Sequence, residues 1–178
     1  MNPRRWLLLG LLATALTACG QPDTLSINDF ETAGDLERLT WRCPYWLEPS
    51  TALVVSGKSG LAIDFPAGIY PTLELRTVPA DWRGYRYLEA DLWAPDPAAR
   101  ELMIRIDDAG DCDAFINRFE ASEPLSGRPQ HLRILLERIA AGNGGRTLDL
   151  AHIKRILFYF KQTDRRITWY LDGVRLTR

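Results

Sequence analysis

From residue 25 onward the chain consists of short segments rich in β-branched, aromatic and leucine residues, separated by glycine or proline. Segments of this length, bounded by turn-forming residues, are typical of β-strands. The predicted strands are 25–30, 38–41, 52–56, 60–65, 70–76, 85–93, 101–107, 114–120, 130–136, 153–160 and 166–176. The best helical stretches, 135–141 and 148–154, reach only about two turns. The sequence therefore predicts an all-β fold.

Several predicted strands alternate between apolar and polar side chains, as in an antiparallel sheet with one buried face. In strand 85–93, Leu88, Ala90 and Leu92 fall on one face, and strands 101–107 and 130–136 repeat the pattern. In strand 114–120, the same phase places Ile116 inside and Phe119 outside. If these strands share one sheet, its other face collects the side chains of Asp91, Trp93, Arg105, Asp107, Asn117, Arg133 and Tyr159.

The first 18 residues have the pattern of an export signal. Arg4 and Arg5 precede an apolar run, 6–16, which is too short to span a bilayer comfortably. The sequence Leu-Thr-Ala-Cys-Gly at 16–20 resembles the lipobox of bacterial lipoproteins, which implies cleavage before Cys19 and acylation of that residue. The alternative is an ordinary secretory signal with an incidental cysteine. The lipobox predicts a signal peptide (1–18), a lipidated tether (19–24) and one β-sandwich domain (25–178).

The resemblance to lipoproteins also implies a location. Several acyl chains together give effectively permanent membrane anchoring. In lipoproteins an Asp after the lipidated Cys favours retention in the inner membrane, and this chain has Gly20 there. The prediction is an exported protein anchored through Cys19 in the outer membrane, facing the periplasm or the cell surface.

Removal of the signal peptide changes the charge balance. The full chain has 22 basic and 23 acidic residues, and two of the basic ones, Arg4 and Arg5, lie in the signal peptide. The remaining domain is therefore mildly acidic. Nucleic-acid binding requires a basic stripe, so nucleic acid is not an expected partner. The two remaining cysteines, Cys43 and Cys112, are an even pair in an oxidising compartment, where they either form a disulfide or remain buried thiols.

Three segments together resemble the galactose-binding-like jelly rolls, which include carbohydrate-binding modules and the complex I intermediate-associated protein family. They are Ile-Asn-Asp-Phe-Glu at 27–31, the segment 82–93 with Tyr-Arg-Tyr-Leu-Glu-Ala-Asp, and Trp-Tyr-Leu-Asp-Gly-Val-Arg-Leu at 169–176. The resemblance spans nearly all of the mature chain. It implies an antiparallel β-sandwich of the jelly-roll type.

The same resemblance implies two sites. Many of these modules hold a structural Ca²⁺ between a carboxylate near the first strand and one on the last, here Glu31 and Asp172; no other cofactor is implied. They bind sugars on a concave sheet face, which corresponds to the polar face described above. Aromatic rings pack on sugar rings, and Asp, Asn and Arg bond to hydroxyl groups. The alternative is a solvated face with ion pairs between strands.

Most catalytic patterns are absent. The acidic run 107–113 does not have the EF-hand order of ligands, so a tight hairpin turn is the better interpretation. His131 and His152 lack the spacing of a zinc site, and no serine lies in a Gly-x-Ser-x-Gly motif. These patterns argue against hydrolase, kinase and metalloenzyme functions and leave an unfamiliar activity open.

Two functions are consistent with the sequence. The first is a lipid-anchored, non-catalytic module of the bacterial cell envelope that binds a carbohydrate on the polar face. The alternative is a protein-interaction or assembly factor with the same fold, as the resemblance to the complex I intermediate-associated family allows. The membrane is reached through the lipid on Cys19 in both cases.

Overall fold

The computed structural model describes residues 21–41 and 46–178, which form two antiparallel sheets packed face to face. The all-β sandwich predicted from the sequence is confirmed. The helices in the described ranges are short: α1 is Ala33–Glu37, α2 is Leu136–Ala141, and a 3₁₀ helix covers Phe115–Asn117. None of the described helices has the length and apolar character that a membrane span needs.

The first sheet has six strands and contains both ends of the domain. Its strands are β1 (Thr24–Asn28), β3 (Trp46–Ser50), β4 (Gly60–Phe65), β7 (Tyr87–Trp93), β10 (Gln130–Leu135) and β13 (Ile167–Thr177). The order is β10-β7-β13-β4-β3, and β1 also pairs with β13. The long last strand is therefore the centre of this sheet, because it pairs with β4 and β1 on one side and with β7 on the other.

The second sheet has five strands in the order β2-β6-β11-β8-β9. These are β2 (Leu39–Trp41), β6 (Thr72–Leu75), β8 (Glu101–Asp108), β9 (Phe119–Pro124) and β11 (Ile153–Tyr159). A separate two-residue pair, β5 (Gly68–Ile69) with β12 (Gln162–Thr163), lies at one end. The central strand β11 joins β6 to β8, so the outward side chains of these three strands lie beside one another.

The hydrophobic core lies between the two sheets. Leu88, Ala90 and Leu92 of β7 are buried in it, as the alternation predicts, and the inward residues of β8 and β10 face it as well. Trp169 packs near Phe65, Phe158 and Phe160, with ring centroids 5.7 to 6.4 Å apart. Aromatic pairs at these separations add to the stability that comes from apolar burial.

The predicted strand 52–56 is wrong. The strand in this region is β3, Trp46–Ser50, and 52–56 belongs to the loop that follows it. The reason lies in the backbone hydrogen bonds: the N–H groups of Val55 and Ser56 donate to the side chain of Asp172 and not to a neighbouring strand. Sequence composition cannot anticipate such a partner, since it lies more than a hundred residues away.

The predicted strand 114–120 and the tight hairpin turn at 107–113 are also wrong. Strands β8 and β9 do pair, but ten residues, 109–118, connect them. Phe115 and Ile116 lie in the 3₁₀ helix and are exposed, whereas Phe119 begins β9 and is buried in the core. The alternation of inward and outward side chains in β9 therefore begins at Phe119, which points inward, whereas the sequence predicts that it points outward.

The carboxylates of Glu31 and Asp172 hold one loop, 51–59, against the first and last strands. Asp172 is completely buried and accepts hydrogen bonds from the N–H groups of Val55, Ser56 and Gly173 at 2.6, 3.2 and 2.7 Å. Glu31 accepts from the N–H groups at 58 and 59, at 2.8 to 3.0 Å. The two carboxylates therefore clamp the loop with hydrogen bonds.

This donor set does not fit a calcium ion shared by the two carboxylates. Calcium needs six to eight oxygen ligands, and here the carboxylate oxygens face N–H groups, whose positive ends repel a cation. Gly57 also lies so close to Glu31 that an added Cβ would stand 2.2 Å from Oε1. No group of three or more metal-ligating side chains is present in the described ranges. The N–H groups supply the clamp that the resemblance assigns to calcium.

We expect Asp172→Ala to lower the free energy of unfolding by about 3 kcal/mol, because the N–H groups of Val55, Ser56 and Gly173 lose a completely buried acceptor. Denaturant unfolding monitored by tryptophan fluorescence measures this change. Removal of calcium with a chelator should leave the melting temperature of the unmodified protein unchanged. A large fall on chelation would contradict the hydrogen-bonded clamp.

A second buried carboxylate, Asp108, fastens the long β8–β9 connection. The Arg146 guanidinium forms a two-point ion pair with it, and the Asp149 N–H donates to Asp108 Oδ2 at 2.7 Å. Burial by itself raises the pKa of Asp108, because it disfavours the charged form. The hydrogen bonds from Arg146 and from the backbone outweigh this effect and hold the pKa well below its usual range. Cys112 lies beside this pair as a buried free thiol, and burial raises its pKa. Cys43 lies outside the described residues, so the Cys43–Cys112 disulfide stays a prediction.

The lowered pKa of Asp108 gives a pH dependence. A carboxyl whose pKa is lower in the folded state stabilises the fold above its unfolded pKa, about 3.9, and loses this contribution as the pH falls towards the folded value. We expect Asp108→Asn to be less stable than the unmodified protein by about 2 kcal/mol at neutral pH. The gap should narrow below about pH 4. A gap that stays constant down to pH 2 in denaturant titrations would contradict this role.

Candidate functional site

The outer face of the five-stranded sheet carries a grid of polar and aromatic side chains. The register places Tyr159 opposite Thr72 on one side, and Leu157 opposite Glu74 and Arg105 on its two sides. Arg155 lies opposite Asp107 on β8. These side chains alternate with the buried Ile156 and Phe158, so strand geometry alone brings them to one surface.

A cleft of about 420 Å³ opens over this grid. Its lining comes from the four strands β6, β8, β9 and β11 and from residues that flank them: Tyr70, Thr72, Arg105, Arg118, Glu120, Arg155, Leu157, Tyr159 and Lys161. The volume lies in the range of small-molecule sites, which is roughly 300 to 1,000 Å³. The cleft is therefore large enough for part of a polymeric or small organic ligand.

Two tyrosines border one end of the cleft. The ring of Tyr70 meets the ring of Tyr159 edge-on, with centroids 5.9 Å apart. Tyr70 is 60% exposed and has a left-handed backbone with φ of 54°, which is uncommon for a residue with a Cβ. The Tyr70 N–H donates to the Lys161 carbonyl at 3.2 Å, and the Tyr70 carbonyl accepts from the Thr72 hydroxyl at 2.8 Å. A strained, exposed aromatic held in place by hydrogen bonds is typical of binding surfaces.

The floor of the cleft is an ion-pair network centred on Asp107, whose side chain is 1% exposed. Arg105 Nε and Nη2 donate to the two oxygens of Asp107 at 2.7 and 2.8 Å. Arg155 Nε donates to the same carboxylate at 2.7 Å, and its Nη1 donates to Glu74 at 3.0 Å. Paired guanidinium groups of this kind are rigid, so they present hydrogen-bond donors in fixed positions.

The wall of the cleft on β9 is built around Glu120. Arg118 Nε donates to Glu120 Oε2 at 2.9 Å, and the Tyr159 hydroxyl also bonds to this carboxylate. Burial and the hydrogen bond to Glu120 raise the pKa of Tyr159 above its usual range, so its hydroxyl stays protonated and donates. Arg118 also lies over the exposed ring of Phe115, 5.6 Å from its centroid. The 3₁₀ helix thus adjoins the cleft at Arg118.

The structure separates the residues that the sequence assigns to one polar face. Arg105 and Tyr159 line the cleft, and Asp107 lies beneath them. Asn117 is in the 3₁₀ helix and not on a strand. Asp91, Trp93 and Arg133 belong to the six-stranded sheet, on the opposite side of the sandwich. The prediction that these strands share one sheet is wrong, because β7 pairs with β13 and β8 pairs with β11.

The polar side chains on the outer face of the six-stranded sheet form hydrogen bonds and ion pairs with one another. Asp91 bonds to His131 Nδ1 at 2.8 Å and to Arg175 Nη1 at 2.9 Å. Arg133 pairs with Glu89 and lies over the ring of Tyr87, 3.6 Å from its centroid. Trp93 stacks on Tyr170, and its indole N–H donates to the Gly127 carbonyl at 3.0 Å. This face matches the solvated, ion-paired alternative.

Sequence reasoning missed most of the cleft. The side chains not singled out beforehand are Tyr70, Thr72, Arg118, Glu120, Arg155, Leu157 and Lys161. A signal existed for Arg155 and Leu157, because they alternate with Ile156 and Phe158 in the strand that was predicted. Tyr70 gave no such signal, since its position depends on a backbone conformation that its residue type disfavours.

Cys19, the predicted lipidation site, lies outside the described residues. Cys43, the predicted disulfide partner of Cys112, lies outside them as well. Glu31 and Asp172, the predicted metal ligands, form the loop clamp on the other sheet and do not adjoin the cleft.

The solved structures that this fold resembles include carbohydrate-binding modules. A family 11 module from Clostridium thermocellum, in complex with a beta-1,3-1,4-mixed-linked tetrasaccharide, has a TM-score of 0.67 at 13% identity, over 86% of this chain and 95% of that chain. A family 30 module of a cellulosomal cellulase of Clostridium thermocellum has a TM-score of 0.52 at 17% identity, over 74% and 81%. An exo-beta-agarase has a TM-score of 0.65 at 16% identity, over 85% of this chain and 24% of that chain.

The sequence itself matches no protein-family model and no curated protein. At identities of 13 to 17%, the structural likeness shows a shared fold and no more. The chain has the jelly-roll sandwich fold that its sequence predicts.

Proposed function

We propose that this chain is a lipid-anchored, non-catalytic module of the bacterial cell envelope that binds a carbohydrate in the cleft of the five-stranded sheet. The observation that carries the proposal is the juxtaposition of the Tyr70–Tyr159 pair with the ordered guanidinium groups of Arg105, Arg118 and Arg155. The exposed ring of Tyr70 offers a surface for the apolar face of a sugar, and the guanidinium groups offer donors to sugar oxygens. The similar modules of known structure support this assignment.

The charges in the cleft support binding without catalysis. Glycoside hydrolysis by the usual mechanism needs two carboxyl groups roughly 5 to 9.5 Å apart on either side of the bond. Glu120 is the one carboxylate among the residues that line the cleft, and Arg118 and Tyr159 occupy it. Asp107 is covered by two guanidinium groups. Neither group is free to move a proton to or from a substrate.

We expect Tyr70→Ala to weaken glycan binding by at least about tenfold, or about 1.4 kcal/mol, because Tyr70 is the exposed aromatic ring of the cleft. Binding is measured by titration of the detergent-solubilised protein with the glycans retained on a polysaccharide array. The matched control is Tyr87→Ala, a half-buried tyrosine on the opposite sheet, which should bind as the unmodified protein does.

Two outcomes would contradict the proposal. One is a Tyr87→Ala variant that loses affinity while Tyr70→Ala keeps it, which would place the site on the six-stranded sheet. The other is an array without any retained glycan, combined with one protein that co-purifies stoichiometrically. That result would favour the protein-interaction alternative.

The lipid anchor has its own test. We expect the unmodified protein to enter the detergent phase of a Triton X-114 extraction, and Cys19→Ala to remain in the aqueous phase, because acyl chains on Cys19 supply the membrane affinity. The control is Cys43→Ala, which should still enter the detergent phase. A Cys19→Ala variant that keeps its detergent affinity would exclude acylation at this residue.

A further inference from the structure

The cleft separates its positive and negative charges by depth. Five cationic side chains belong to its network: Arg76, Arg105, Arg118, Arg155 and Lys161. Four carboxylates pair with them: Glu74, Asp107 and Glu120 in the floor and wall of the cleft, and Glu101 at its rim. Five cations against four carboxylates give this network a net charge of +1, whereas the full chain has a net charge of −1, so the excess of positive charge is local.

The carboxylates lie beneath the cations. The side chains of Glu74, Asp107 and Glu120 are 9% exposed or less, whereas those of the four cations that line the cleft are 17 to 62% exposed. Burying the carboxylates turns their oxygens inward, towards the guanidinium groups that neutralise them. A ligand in the cleft therefore meets N–H donors and positive charge, and few acceptors.

A neutral sugar does not match this surface well. Its hydroxyl groups both donate and accept, and each donated hydrogen needs an acceptor on the protein. The carboxylates do not serve this purpose well, because Glu74, Asp107 and Glu120 are already bonded to arginine or tyrosine. A carboxylate on the ligand supplies acceptor oxygens only, which is what a guanidinium-rich surface binds best.

The position of Lys161 adds to this argument. Its ammonium group lies at the rim of the cleft and is only loosely paired, 3.8 Å from the exposed Glu101. Exposed pairs of this kind contribute little, so a ligand carboxylate can take the place of Glu101 at small cost. Its backbone carbonyl accepts from the Tyr70 N–H, which places the ammonium group on the segment next to the aromatic pair.

We propose that the glycan bound in this cleft is an acidic polysaccharide that carries uronate carboxylates. The inference rests on the proposed function, because it names the class of sugar that the same cleft takes. The exposed Tyr70 ring, held edge-on by Tyr159, packs on a sugar ring, and Lys161 together with the arginines binds the carboxylates of that ring or the next.

Paired polysaccharides that differ only in charge test this proposal. Polygalacturonate and alginate are each compared with the neutral form of the same chain, the methyl ester of the first and the carboxyl-reduced form of the second. We expect at least one acidic polymer to bind at least about tenfold more tightly than its neutral form. Its affinity should fall as NaCl rises from about 20 to about 200 mM, because salt screens exposed charges.

The matched variants are Lys161→Gln at the rim and Lys58→Gln, an exposed lysine on the loop of the other sheet. We expect Lys161→Gln to weaken binding of the acidic polymer by about threefold or more and Lys58→Gln to leave it unchanged. Both sites are at the surface, so both variants should fold, which circular dichroism checks.

The outcomes distinguish the uronate proposal from the more general proposal that the cleft binds a glycan. Equal binding of acidic and neutral forms, or tight binding of neutral β-glucan alone, would overturn the uronate proposal and leave glycan binding intact. Loss of affinity in Lys58→Gln equal to that in Lys161→Gln would also overturn it, since the attraction would then not come from the cleft. An absence of binding to every acidic and neutral polymer would overturn both proposals.

Discussion

The buried carboxylate of Asp107 orders the candidate site. It lies on β8 and is bonded by Arg105 from its own strand and by Arg155 from β11, and Arg155 continues to Glu74 on β6. One carboxylate thus orients two guanidinium groups, in a network that spans three neighbouring strands. A buried charge that loses its partners is costly, so the network is expected to hold its geometry whether or not a ligand is present.

The two sheets differ in how their outer charged side chains are arranged. The six-stranded sheet contains the first and last strands, and its outer charges are satisfied internally by pairs such as Asp91 with Arg175. The loop clamp of Glu31 and Asp172 belongs to the same side. The five-stranded sheet has its carboxylates beneath and its cations above, which leaves donors for a ligand. The Glu31–Asp172 loop clamp and the cleft therefore lie on different sides of the sandwich.

Alternation predicted the inner faces well. Leu88, Ala90 and Leu92 are buried as expected, because a strand has a period of two whichever partners it finds. The assignment of strands to sheets was not predictable in the same way. It depends on pairings such as β7 with β13, which are far apart in sequence and leave no local signal. For this reason Arg105 and Tyr159 were correctly grouped, whereas Asp91, Trp93 and Arg133 were grouped with them wrongly.

The most direct test of the cleft is residue-resolved mapping of a bound glycan. Amide NMR spectra of the protein in micelles are recorded while the best-retained polysaccharide fragment is added. Glycan binding in the cleft predicts chemical-shift changes at Tyr70, Arg118 and Tyr159, on the five-stranded sheet, with β7 and β10 unchanged. Changes confined to Trp93, Arg133 and their neighbours on the six-stranded sheet would contradict the account.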